Sequence, residues 1–315
     1  AAVLAYVIRR LAATIVVMAV VALFVFSLLY LTPGDPAAII AGDAATSEDI
    51  ARIREQLGLD EPFFVRFGGW VWGLVHGDLG ISIFTNLPVT HLIGQRVEPR
   101  PGLTLCTLLV AVLVAVPLGV VAAARAGTWI DRAVMAFSVL GFSLPVFVLA
   151  YVLILVFSIE LEWLPVQGYR SIQEGIWEWL RHLILPSIAL GTVYIALIAR
   201  ITRAAMLDVL AQDYVRTAQA KGLTPGAVLG EHALRNAAVP IVTVVGIGIA
   251  LLISGAIVTE TVFAIPGIGR LTVDATLRRD YPIIQGVILI FSGAYVLINL
   301  AVDLSYMFFD PRIRY

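Results

Sequence analysis

Six apolar stretches, each near the length a helix needs to cross a bilayer, constrain this chain more than anything else in it. A spanning helix takes roughly 20 predominantly apolar residues. Leu11–Leu31, Leu103–Ala124, Ala133–Ile159, Leu183–Ala199, Asn236–Thr259 and Tyr281–Val302 meet or approach that length. The fourth extends toward Met206 and the last toward Phe309. Hydrocarbon offers no hydrogen bonds to a backbone, so such stretches must be helices. Composition agrees: 60% of residues are hydrophobic and 14% charged, against roughly 45–50% apolar and 25% charged in a soluble domain. The expected fold is an all-α integral membrane protein with six transmembrane helices. Its parts are helix 1 (1–31), a sizeable extracytoplasmic segment (32–100), a core of helices 2–6 (101–309) holding a polar loop at 208–236, and a short tail (310–315).

The first run follows Arg9 and Arg10 as a secretory signal would, but its apolar core is too long and no small-residue cleavage site follows closely. It reads as a retained signal anchor. Cys106 is the only cysteine, which excludes an intramolecular disulfide and a thiol metal cluster. Orientation comes from basic residues in short loops. Arg9 and Arg10, Arg125 and Arg132, the group Arg200, Arg203, Arg216, Lys221 and Arg235, and Arg312 with Arg314 fall on one side if six helices alternate. Both termini and the polar loop are therefore expected in the cytoplasm. Thr32–Arg100, Glu160–His182 and Glu260–Asp280 are expected outside.

The segment after helix 1 opens with a turn, Thr32-Pro33-Gly34-Asp35-Pro36. Thr46 or Ser47 caps an amphipathic helix through Leu57, with Ile50, Ile53 and Leu57 on one face. Phe63, Phe64, Phe67, Trp70 and Trp72 follow, read as interfacial anchors in preference to groups packed under the fold. Gly77-Asp78-Leu79-Gly80 is a second tight turn. Pro117, Pro145 and Pro186 interrupt or border spans, and Pro240 lies near the start of the fifth. Gly246, Gly248, Ser254 and Gly255 in that span permit close helix approach.

Between the fourth and fifth spans lies a polar island, Asp213–Pro240, holding the only lysine, Lys221. It reads as two short helices. The first ends near Ala220, with Gly222 at the C-cap. Thr224 offers an N-cap oxygen and Pro225 suits the first position of a second helix, which runs to about Asn236. Val228, Leu229 and Ala233 would share its inner face, with Glu231 and Arg235 turned away. Either this is an ordinary solvated loop, or it is a compact hairpin that docks on a partner.

Much chemistry is missing. A P-loop needs a lysine followed by Ser or Thr, and Lys221 precedes Gly222. The four histidines, His76, His91, His182 and His232, are scattered and form no zinc motif. No nucleophile elbow is present, and the span-end residues Glu260 and Asp303 are the only acidic candidates for an ion-coupled carrier. If the chain moves solute actively, the energy must come from a partner.

The motif series resembles the transmembrane permease subunits of bacterial ABC importers of the dipeptide/oligopeptide/nickel class. It runs from Tyr6 with Arg9-Arg10-Leu11 through Thr32–Pro36, Leu57-Gly58-Leu59-Asp60 with Pro62, and Gly77-Asp78-Leu79-Gly80 with Ser82. It continues through Asp213-Tyr214-Val215-Arg216-Thr217-Ala218, Ala220-Lys221-Gly222-Leu223 and His232-Ala233-Leu234-Arg235-Asn236. Ile265-Pro266-Gly267-Ile268-Gly269-Arg270-Leu271, Arg279-Asp280-Tyr281-Pro282 and Asp310-Pro311-Arg312-Ile313-Arg314-Tyr315 close it. Gln219 and Pro99-Arg100-Pro101-Gly102-Leu103 depart from the usual pattern.

The resemblance implies a type I importer permease fold in a bacterial inner or plasma membrane. It implies an ATPase-coupling loop carried by Tyr214, Arg216, Thr217, Ala218, Lys221, Gly222, Leu223, His232, Arg235 and Asn236. It implies contact of Asp78, Leu79, Gly80 and Ser82 with an extracytoplasmic solute-binding protein. Further partners would be a second, related permease and two ATPases that bind ATP and Mg. This chain would have no catalytic residues, metal or cofactor of its own, and no nucleic-acid partner. The larger segment after helix 1 resembles that of the first permease of the pair. Peptides are the implied solute, with nickel or glutathione as alternatives. An autonomous channel or carrier, and a non-transporting receptor or scaffold, are the competing classes.

Overall fold

The structure, a computed structural model, describes residues 2–31, 35–42 and 45–309. The turn expected over Thr32-Pro33-Gly34 and the ending Asp310–Tyr315 lie outside the described residues, as do the side chains of Tyr6, Arg10, Ser254 and Asp303. In chain order the α-helices are α1 (Ala2–Leu31), α2 (Pro36–Ala41), α3 (Ser47–Gln56), α4 (Phe63–Val75), α5 (Val89–Val97), α6 (Pro99–Ala124), α7 (Trp129–Ser143) and α8 (Val146–Leu153). They continue as α9 (Ile176–Leu210), α10 (Asp213–Ala220), α11 (Pro225–Ala227), α12 (Ala238–Gly255), α13 (Ile257–Val262), α14 (Ile268–Arg278) and α15 (Tyr281–Phe309). Wider π-helical turns continue α8 over Ile154–Glu160 and α11 over Val228–Leu234.

Among the described residues, four stretches are long and apolar enough to cross a membrane: Ala12–Leu31, Val89–Ala124, Ile176–Leu210 and Tyr281–Ala301. Two bent pairs raise the number to as many as six. One pair, Trp129–Ser143 with Val146–Glu160, corrects the expectation of a single helix over Ala133–Ile159, because it bends by 102°. The break is at Leu144, which is extended (ψ 123°) before Pro145. A proline ring disfavours the helical conformation of the residue it follows. The second pair, Pro225–Leu234 with Ala238–Ile249, bends by 62° and separates the polar island from the fifth span.

The chain divides into two compact units, Ala1–Glu98 with Gly267–Val296, and Pro99–Pro266 with Leu297–Tyr315. In the first, Phe26 of α1 is the hub. Its ring centroid lies 5.4 Å from those of Phe63 and Phe67 and 5.2 Å from that of Trp70, all on α4. Arg66 lies over Phe26 and Tyr30 and donates to the Tyr30 hydroxyl. Three of the five aromatics read as interfacial anchors therefore pack onto α1. Only Phe64 (80% exposed) and Trp72 (69%) face outward. A second core joins Val89, Leu92 and Ile93 of α5 to Ile268, Leu271 and Ala275 of α14 and Ile283 and Val287 of α15.

Thr46 caps α3 as expected, in a reciprocal box with Asp49. The Thr46 hydroxyl and backbone N–H both donate to Asp49 and hold its carboxyl below the ordinary range. A carboxyl depressed by folding contributes at neutral pH, and that contribution fades as acidification protonates it.

In the second unit α6 and α9 pack along their length through small residues. Thr107, Ala111, Ala115 and Gly119 repeat every fourth residue on the buried face of α6, a spacing that lets helix backbones approach closely. A Cβ at Gly119 would sit 2.6 Å from Thr202 Cβ and 2.7 Å from the Ala199 carbonyl oxygen. Gly248 of α12, flagged in the sequence, meets the Tyr194 ring of α9, 3.3 Å from its would-be Cβ. Gly119→Ala is expected to destabilise the protein by about 1–3 kcal/mol through overpacking. Gly94→Ala, at a position with nothing within 4 Å, should show no such loss in a parallel thermal melt of detergent-solubilised protein.

Candidate functional site

The polar island folds as the hairpin its cap residues predict. After α10, Gly222 takes φ +84°. The Leu223 N–H donates to the Ala218 carbonyl (3.3 Å) and the Gly222 N–H to that of Gln219 (2.9 Å), the paired bonds of a Schellman stop. Thr224 Oγ1 accepts from the Ala227 N–H, and Pro225 opens α11. The second helix differs from the regular α-helix expected over Pro225 to about Asn236, because Val228–Leu234 is π-helical. In a π turn residues i and i+5 align, so Val228 and Ala233, both buried, stack on the inner side.

The hairpin is anchored by its apolar residues. Val215, Ala218, Val228 and Ala233 are buried. Ala233 joins Ala237 and Ile241, Ala205 and Met206 of α9, and Ala123 of α6 in one cluster, with Leu229 and Leu234 against it. Of the residues singled out for coupling, Ala218 is buried, and Leu223 and His232 are half-buried. Tyr214, Arg216, Thr217, Lys221, Gly222, Arg235 and Asn236 are exposed. Arg216 pairs with Asp213 at 3.4 Å, and Thr217 donates to the Asp213 carbonyl. Asn236 donates to the His232 carbonyl. Nothing lies within 4 Å of a Cβ built at Gly222, Gly226 or Gly230. The result is an exposed polar ridge on a buried apolar base.

The Gly77–Gly80 turn is held from below. Gly77 and Gly80 take φ +81° and +87°, and the Gly80 N–H donates to Asp78 Oδ1 at 2.8 Å. Ser82 Oγ donates to Asp280 Oδ2 at 2.5 Å, and the Ile83 N–H to Asp280 Oδ1 at 3.3 Å. Ser82 and Asp280 are 1% and 2% exposed. Of the four residues expected to meet a binding protein, Asp78 is exposed, Leu79 packs on the α5–α14–α15 core, and Ser82 is turned inward as a brace. All four, Gly80 included, line a cleft of about 610 Å³ in the first unit. Asp280 was visible in the sequence only as part of a motif, and its bracing role was not.

Two ion pairs in the second unit also escaped the sequence reading. Arg100 Nη1 lies 2.9 Å from Glu260 Oε1, with side chains 5% and 1% exposed. This accounts for part of the unusual Pro99–Leu103 stretch. Gly102 accounts for more, since a Cβ there would lie 2.8 Å from the Trp179 ring. Arg203 grips Asp131 with two hydrogen bonds, Nε to Oδ1 at 2.5 Å and Nη2 to Oδ2 at 2.7 Å. The Gly127 N–H completes that carboxylate at 2.9 Å, so the α6–α7 turn is fixed to α9. No cluster of three or more potential metal ligands occurs among the described residues.

These features define an all-helical, multi-span membrane protein that exposes a polar hairpin between two spans. Residues 115–315 match the family described as binding-protein-dependent transport system inner membrane component, and residues 3–89 match its N-terminal component. The chain belongs to this family and is a permease subunit of an ABC importer. It is 56% identical over 310 residues to a probable peptide ABC transporter permease of Sinorhizobium fredii, covering 98% of this chain and 99% of the relative. It is 44% identical over 310 residues to a glutathione transport system permease of Escherichia coli, covering 98% and 99%. A dipeptide transport system permease of Alkalihalophilus pseudofirmus is 42% identical over 332 residues, covering 99% and 100%. A chain of the methionine ABC transporter MetNI in an inward-facing form superposes with TM-score 0.57 at 18% identity, over 70% of this chain and 96% of that one. The shared fold is that of the type I importer permeases.

Removing one member of a buried ion pair leaves a stranded charge and costs about 3–5 kcal/mol, whereas replacing both by apolar groups is often neutral. Arg100→Ala should therefore sharply lower thermal stability and membrane accumulation. The double substitution Arg100→Met with Glu260→Leu should restore most of both.

Proposed function

We propose that this chain, paired with a second permease, lines a pathway for short peptides, and that its Asp213–Asn236 hairpin couples the pathway to a separate ATPase. The observation that carries this reading is the hairpin itself. Its apolar side is fused to α6, α9 and α12, while Tyr214, Arg216, Lys221 and Gly222 stand exposed at its tip and outer face. A rigid body of this kind can transmit a push from a docked partner into three helices at once. The relatives named above are termed permeases for peptides, dipeptides and glutathione, which share amide-linked chemistry, and this supports a peptide as the solute.

In this reading the hairpin and both termini face the cytoplasm, and the segment between α1 and α5 faces a solute-binding protein outside. ATP and Mg belong to two partner ATPases, and this chain performs no catalysis. The ATP-bound ATPases favour one state of the permease pair by contacting the hairpins differently in the two states. A ligand shifts an equilibrium only by such a differential.

Gly222 offers the direct test. An L-residue in the left-handed region costs about 1–2 kcal/mol, and asparagine tolerates that region better than most. The space around Gly222 is open, so the hairpin itself has room for a large side chain. Gly222→Asn should retain substrate-stimulated ATP hydrolysis in the assembled complex. Gly222→Trp should reduce hydrolysis to the unstimulated level while membrane insertion stays normal. Undiminished stimulation in Gly222→Trp would contradict the coupling role.

A further inference from the structure

Arg200 of α9 carries its charge inside a span. The stretch Leu183–Ala199 just before it is uncharged. At helical rise that stretch covers about 26 Å of a hydrocarbon core roughly 30 Å thick. Helical side chains lean toward the start of their own helix, so Arg200 reaches back into the uncharged stretch. Its guanidinium carbon lies 5.7 Å from the centroid of the Phe142 ring of α7. Gly141, the residue before Phe142, faces Ala196 and Thr192, one and two turns closer to the middle of the span: a Cβ there would sit 3.2 Å from Ala196 Cβ. The neighbouring Arg203 is held by Asp131. Arg200, by contrast, is exposed, and no carboxylate of a described residue pairs with it.

The break between α7 and α8 gives a separate signal beside this arginine. Leu144 is extended and Pro145 has no N–H, so the helical ladder is interrupted in the interior of the apolar run Ala133–Ile159. Phe142, Leu144 and Phe147 around the break are 52%, 45% and 48% exposed. Non-helical backbone at this depth is tolerated only where protein or a water-filled cavity lies beside it. An arginine within a span makes the same demand. Two independent features of the second unit therefore turn one face, built from α9 at Arg200 and the α7–α8 break, away from lipid.

We propose that this face lines the solute pathway and that Arg200 binds the carboxylate of a peptide in transit, an inference that rests on the importer reading above. A guanidinium takes a carboxylate through two parallel hydrogen bonds. Phe142 stacks on the guanidinium and leaves its in-plane donors to the solute. Every linear peptide with a free C-terminus presents one such carboxylate, whatever its side chains. The contact thus suits a pathway that accepts many sequences, and it disfavours a peptide whose terminus is neutral.

The test uses the complete complex in lipid nanodiscs, without the binding protein, and radiolabelled trialanine and its C-terminal amide as probes. The wild type should bind trialanine about tenfold more tightly than the amide, the difference expected of one charge-assisted contact. Arg200→Met should bind trialanine as weakly as the amide, and Arg200→Lys should keep part of the preference. Arg125→Met, at an exposed residue of the α6–α7 turn, should keep all of it. Equal binding of the two peptides by the wild type, or binding of neither, would overturn the proposal, as would a preference that survives in Arg200→Met. Loss of the second permease from the Arg200→Met complex would assign the guanidinium to that subunit and overturn it too. ATP-driven uptake of trialanine by wild-type proteoliposomes supplied with the binding protein checks the importer reading separately. Its presence keeps that reading intact when the carboxylate preference fails, and its absence counts against the reading itself.

Discussion

Lipid cannot hydrogen-bond a peptide group, and that constraint shapes most of this structure. Each span must be a helix, and two helices in lipid gain little from hiding apolar side chains that the solvent already accepts. Cohesion must come from close approach. The α6–α9 contact meets that need with Thr107, Ala111, Ala115 and Gly119 on one side and Gly191, Ala199 and Thr202 on the other. With backbones this near, even one added methylene at Gly119 meets a carbonyl oxygen. The outward faces carry the opposite signature. Ile15, Val16, Val20 and Phe24 of α1 are more than half exposed, which is costly in water and ordinary against acyl chains.

Polar interactions pin the chain where the helices meet loops. Arg100–Glu260 joins the start of α6 to α13, and Arg203–Asp131 joins α9 to the start of α7. Asp280 does equivalent work in the first unit, tying the loop before α15 to Ser82 and the Ile83 backbone. A buried ion pair adds little net stability over apolar packing but penalises any arrangement that separates it. These pairs therefore specify which helix ends belong together. The hairpin between α9 and α12 sits on an apolar base shared with α6 and α9.

What could be read from the sequence followed the range of the interaction involved. The Thr46 cap, the Gly222 stop and the Thr224-Pro225 start all arise from residues within five positions of one another, so their chemistry is visible in the string. Most span boundaries were legible because hydropathy sums over neighbours. The break at Leu144-Pro145 was hidden because both sides of it are apolar, and an average over composition is blind to a 102° bend. Ser82 and Asp280 are separated by 198 positions, Arg100 and Glu260 by 160, and Asp131 and Arg203 by 72. Counting arginines for topology treated Arg203 as a free charge, whereas it is a structural ligand of Asp131. The small residues flagged in the fifth span were real contacts at Gly248, but the tighter seam on α6 went unmarked, since alanine and threonine there look like any other apolar run.

The central claim is that this permease does not act alone but is driven through its hairpin by a separate ATPase. The most direct measurement is the mass of the intact assembly after mild detergent extraction from cells that express the neighbouring partner genes. The account predicts a complex containing this chain, a second permease and two ATPases. A lone chain or homodimer that moves solute without any ATPase would contradict it.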